Sequence, residues 1–115
     1  MRVIVYHNPR CSKSRATLAL LEEKKLDLEV IDYLKHPPSP EQLGRILALL
    51  EIGPRDLMRK NEASYRELGL DDDSIGRDAL VAAISAHPIL MQRPVVLANG
   101  KAAIGRPPER VLEIL

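Results

Sequence analysis

The chain has 115 residues, 45% of them hydrophobic, which suffices for one domain with a buried core. Its 17 basic and 16 acidic residues are interspersed and leave a net charge of +1. With no Trp or Phe, it lacks both the basic field and the stacking aromatics of a nucleic-acid binder. A single cysteine excludes an internal disulfide and, without ligands at metal spacing, a zinc site. The opening MRVIVY is too short for a secretory signal, and no apolar run approaches the ~18 residues of a membrane helix, so a protein of the reducing cytoplasm is expected.

Residues 2–6, RVIVY, are β-branched and aromatic and predict a buried strand that runs into the loop HNPRC. A helix is expected over residues 12–25, with Leu18, Ala19 and Leu21 as its apolar stripe. LEVIDY, 28–33, reads as a second strand. Strand, helix and strand at this spacing make a βαβ unit, so the two strands should be parallel. KHPPSP then breaks the pattern. Ser39, Pro40 and Gln42 form a capping-box start, and Leu43, Ile46, Leu47 and Leu50 follow at helical spacing until Gly53-Pro54. A short helix RDLMRK follows, and SYRELGL should close on Gly69. Another helix, near residues 77–87, turns Leu80, Ala83 and Ile84 inward and must stop before Pro88. VVLANGKAAI is a hairpin around Asn99-Gly100, and Pro107 and Pro108 open a last helix with Val111, Leu112 and Leu115 on its inner face.

This order predicts an α/β fold, a thioredoxin-like (glutaredoxin-like) mixed sheet with an all-helical insertion. The frame is assigned to residues 1–35 and 88–115 and the insertion to 39–87, within one domain spanning 1–115. No sustained exposed apolar stripe calls for a second copy, so a monomer is expected.

Cys11 stands after a strand and at the start of a helix, where unpaired N–H groups and the helix dipole favour a thiolate. An isolated cysteine is more often core packing, but Pro9, Arg10, Ser12 and Lys13 are a water-facing loop composition. His7 is near enough to bond the sulfur or its neighbours, and Lys13 and Arg15 add positive potential. The helix-start N–H groups also make a concavity for an oxyanion. Cys11-Ser-Lys-Ser14 lacks the second thiol of a dithiol oxidoreductase, so an external thiol must resolve any mixed disulfide. Residue 17, where a phosphatase-type loop carries its anion-cradling arginine, is Thr, which rejects that class. If the substrate is a tetrahedral oxyanion, distant arginines should supply the missing donors, and three candidates, Arg59, Arg93 and Arg106, stand at element ends. In a thioredoxin-like sheet, Arg93-Pro94 falls where a cis proline usually lies beside the cysteine.

With these residues in view, the chain resembles the glutaredoxin-dependent arsenate reductases, the ArsC type, across essentially its whole length. YHNPRCSKSR is similar to the family signature YHNPxCxxSR, PILMQRPVV to HPILxxRPIV, and LMRKN and GRPPE to its other two arginine stretches; the ending NGKAAIGRPPE resembles the family's shorter branch. The resemblance implies Cys11 as the nucleophile, His7 as the histidine associated with its activation, and Arg59, Arg93 and Arg106 as oxyanion ligands. Asn8, Ser14, Arg15 and Pro94 support them. It further implies a cysteine–arsenate intermediate, no bound cofactor, glutathione as co-substrate and glutaredoxin as partner.

Two other functions fit parts of the pattern. A glutathione-dependent thiol reductase would use the same single thiol without arsenate. A Spx-like RNA polymerase-binding regulator ranks lower, because such proteins typically carry CxxC and do not need the three arginines. The remaining candidates have plain readings: His36 and His87 as solvated or capping groups, Met58 and Met91 as core filler, and Asp71–Asp73 as a solvated loop.

Overall fold

A computed structural model describes residues 2–115 of the chain. Two compact units divide it: residues up to His36 together with Arg93–Leu115, and Pro37–Gln92. Residues 88–92, grouped by sequence with the terminal part of the frame, cluster with the second unit.

The first unit is built on a four-stranded sheet of β1 (Arg2–His7), β2 (Asp27–Asp32), β3 (Val95–Ala98) and β4 (Lys101–Ile104), in the order β2-β1-β3-β4. β1 and β2 are parallel, from Arg2 opposite Asp27 to His7 opposite Asp32. β3 runs antiparallel to β1, and β4 to β3, giving the mixed sheet of a thioredoxin-like fold. The hairpin turns at Asn99 and Gly100, both at positive φ (55° and 70°), the backbone that a tight primed turn requires. Val3, Val5, Val96 and Ala98 bury one face against Leu21 of α1 (Ser12–Glu22) and against Val111 and Ile114 of a closing 3-10 segment, Pro108–Ile114.

Several expectations change here. The first helix stops at Glu22 instead of running to residue 25, because Lys24 N–H turns back to the Leu21 carbonyl and Lys25 takes φ 53°. Its buried face is Ser14, Thr17 and Leu21, while Leu18 is half-buried and Ala19 exposed. At the other end, three residues per turn put Val111 and Ile114 on the inner face, so Leu112, placed inward by α-helical spacing, is exposed. The second strand is shifted by one residue, so Tyr33 lies just past its end.

The second unit contains α2 (Pro40–Leu50), α3 (Ala63–Glu67) and α4 (Arg77–Ala86), with 3-10 turns at Pro54–Leu57 and Pro88–Leu90. The Ser39 hydroxyl accepts from Gln42 N–H while the Gln42 side chain accepts from Ser39 N–H, completing the capping box. α2 ends on Glu51 in the left-handed region (φ 57°), before the Gly53-Pro54 pair, which opens the next turn instead. Leu43, Ile46 and Leu47 of α2 and Leu80, Val81 and Ile84 of α4 are buried, as are Met58 and Met91, which pair through an antiparallel bridge. Gly69 closes α3 at φ 64°. Among the described residues, no helix is long and apolar enough to cross a membrane.

Candidate active site

Cys11 is the N-cap of α1, with extended backbone (φ −94°, ψ 123°) and a partly exposed side chain. Its N–H donates to the Asn8 carbonyl at 3.0 Å, and its carbonyl accepts from Arg15 N–H at 3.0 Å, so the loop and the helix start hold the residue from both sides. Burial pushes the thiol up. Ser14 N–H, the Arg93 guanidinium and Lys13 N–H, all donating to the sulfur, outweigh it, and the pKa falls below the ordinary thiol value. No acidic residue occupies the first turn of the helix to oppose the thiolate.

The loop is built from its own polar groups. Asn8, 3% exposed, accepts from Arg10 N–H through Oδ1 at 3.0 Å, a local turn that sets the approach to the cysteine. Asn8 N–H donates to Ser14 Oγ at 3.0 Å, and the same oxygen lies 2.7 Å from His7 Nδ1. The hydrogen bond of the His7 ring therefore goes to Ser14, in the first turn of α1. Burial lowers the His7 pKa and the nearby Arg15 charge adds to that, while Asp32 and Glu22 pull the other way; the imidazole is neutral near pH 7. Arg15 donates to the Pro9 carbonyl at 2.9 Å. Its charge bears on His7, and the positive field at the sulfur comes from Arg93.

Arg93 and Arg106 flank the hairpin, each in a cis peptide bond to the following proline. The first was expected; the second carried no signal in the sequence. Arg93 Nε and Nη1 are shielded from solvent. Arg106 donates through Nη1 to the Arg93 carbonyl at 3.5 Å, which links the two turns. Pro94 is pinned by Gly105, whose N–H donates to the Pro94 carbonyl at 2.9 Å. Arg59 belongs to the helical unit: its N–H donates to the Leu90 carbonyl at 2.6 Å and its Nε lies 3.8 Å from Glu62 Oε1. Lys60 beside it is exposed.

Two residues of this neighbourhood were missed in the sequence. Tyr33 is fully buried, and its hydroxyl takes Asn8 Nδ2 at 3.4 Å and the Arg93 guanidinium. Gly105 is the other: a Cβ there would stand 2.5 Å from Thr17 Oγ1 and 2.8 Å from Pro94 Cγ, so only glycine lets α1, the proline and β4 converge. LEVIDY reads as strand throughout, and nothing in the GRPPE stretch singles out its glycine; neither pattern carries the tertiary contact. Among the described residues, no group of three His, Cys, Asp or Glu could hold a metal ion.

The model of the ArsC family matches residues 6–114. The chain belongs to the ArsC family. Among ArsC relatives, uncharacterized protein YfgD of Escherichia coli strain K12 is 51% identical over 99% of this chain and 97% of its own. An arsenate reductase of Neisseria meningitidis is 50% identical over 96% of each. The solved arsenate reductase of Vibrio cholerae superimposes with a TM-score of 0.97 at 52% identity, over 100% of this chain and 98% of that one.

Proposed function

We propose that this ArsC-family protein reduces arsenate to arsenite, with Cys11 as the nucleophile and glutathione and glutaredoxin supplying the electrons in the cytoplasm. The observation that carries the reading is the Cys11 sulfur itself, which receives two helix-start N–H groups and the Arg93 guanidinium. The same donors that stabilise a thiolate suit the oxyanion it attacks. The thiolate displaces one arsenate oxygen, which leaves as water once protonated. Two glutathione thiols, the second delivered through glutaredoxin, then give two electrons and become one disulfide, taking As(V) to As(III), and water cleaves the Cys11–As(III) bond to release arsenite and the free thiol. The chain has one cysteine, so resolution has to come from outside. In this scheme Arg93, Arg106 and Arg59 are the guanidinium ligands of the anion. His7, through Ser14, orders the loop. The names and structures of the relatives above support the substrate.

The test is arsenate-dependent NADPH consumption with glutathione, glutaredoxin and glutathione reductase, comparing the wild type with Cys11→Ser. Turnover should require both arsenate and Cys11. Turnover that survives in the serine variant defeats the proposal. Fast reaction of Cys11 with glutathione mixed disulfides, without arsenate turnover, moves the function to thiol reduction.

A further inference from the structure

We infer that Tyr33 is a positioning residue for this site: its hydroxyl, held by the Asn8 amide, braces the Arg93 guanidinium against the Cys11 sulfur. The sheet register brings the three residues into one row. His7 pairs with Asp32 and Tyr6 with Val95, so continuing both ladders past their last pairs sets Asn8 opposite Tyr33 on one side and Arg93 on the other. The Asn8 amide orientation is fixed because Oδ1 accepts from Arg10 N–H, which leaves Nδ2 to donate to Tyr33 at 3.4 Å. The Arg93 guanidinium donates to the same oxygen. Both partners can only donate, so the phenol oxygen is the acceptor that ties them together. Burial, with the Cys11 charge, raises the Tyr33 pKa and keeps the phenol neutral. With 0% of its surface exposed, Tyr33 cannot touch a bound anion and acts through Arg93. A tyrosine present for packing alone would be replaceable by phenylalanine with no effect on the thiol.

The inference rests on Cys11 being the reactive group proposed above, but its test needs no arsenate. The rate of Cys11 alkylation by iodoacetamide is followed across pH in the wild type, Y33F, R93A and the double variant. Arg93 lowers the thiol pKa, so a loosened Arg93 raises it. The alkylation midpoint of Y33F should therefore lie about half a pKa unit above that of the wild type, roughly a threefold change in thiol acidity. R93A should shift at least as far, and the double variant should match R93A. A wild-type profile in Y33F overturns the inference, as does a shift that adds in full to that of R93A. Should Y33F not fold, the wild-type chain made with 3-fluorotyrosine at its three tyrosines keeps the ring's shape with a weaker acceptor oxygen. Its alkylation midpoint must then move upward, and an unmoved midpoint overturns the inference. A midpoint that depends on both Arg93 and Tyr33, without arsenate turnover, defeats the proposed function and leaves Tyr33 as a positioning residue of the thiol.

Discussion

His7 Nδ1 lies 2.7 Å from Ser14 Oγ, and both side chains are buried, so the histidine of the signature is fastened to the first turn of α1. The same Ser14 oxygen accepts from Asn8 N–H, which makes one hydroxyl the hub of the loop in front of Cys11. Ser14→Ala strands both partners in the interior and should cost about 2 kcal/mol or more in a urea titration, within the range for orphaned buried groups. Ser14 N–H, which faces the sulfur, is retained, so the pH midpoint of Cys11 alkylation should stay near that of the wild type. A large upward shift would mean that the hydroxyl also acts on the thiol.

The His7 pKa is lowered in the folded chain, chiefly by burial. As pH falls through the ordinary histidine range near ~6.5, the unfolded chain takes up a proton that the folded chain refuses. Stability contributed by the neutral ring is thus present above that range and is lost as pH falls from it toward the lowered folded value. Thermal melts from pH 7.5 to 5 should show this slope, and His7→Gln should flatten it. An equal slope in both proteins would place the titration elsewhere.

Arg93 reaches the sulfur, whereas Arg106 reaches the backbone carbonyl of Arg93. Arg93→Ala should therefore both raise the alkylation midpoint and reduce arsenate kcat/KM by about a hundredfold, the usual cost of one lost oxyanion donor. Arg106→Ala and Arg59→Ala should reduce turnover with the midpoint little moved. Equal midpoint shifts in all three variants would contradict this division.

Gly105→Ala places a methyl group 2.5 Å from Thr17 Oγ1 and 2.8 Å from Pro94 Cγ. The cost should be about 1–3 kcal/mol, as for overpacking of a dense interior. Adding Thr17→Ala removes one of the two clashes and should recover part of the loss; the denaturation midpoints of the two variants test it. No recovery would mean that the proline alone sets the limit.

The strand–helix–strand opening, the Ser39 cap and the Asn99-Gly100 turn were legible because each is written in local chemistry: period, capping oxygen, left-handed backbone. The placement of Cys11 was legible too, since a cysteine before a helix in a polar loop points to a partly exposed N-cap. What escaped depended on distance in sequence. Ser14 and Thr17 face inward because the loop and the Gly105 turn come to meet them, and no apolar period marks polar residues for burial. Leu112 misled because the closing segment winds with three residues per turn, although its prolines fit an α-helix equally well. Tyr33 looked like the last residue of a strand, and only the sheet register sets it beside Asn8.

The first unit is discontinuous in the chain, and its central strand β1 waits for β3 to arrive from beyond the helical unit. Cys11 is made early and Arg93 late. On the ribosome, the thiol has at most the N–H groups of its own helix; the guanidinium that draws it toward the thiolate joins only after nearly the whole chain has emerged. The Arg93 share of the lowered thiol pKa is thus acquired on completion of the sheet.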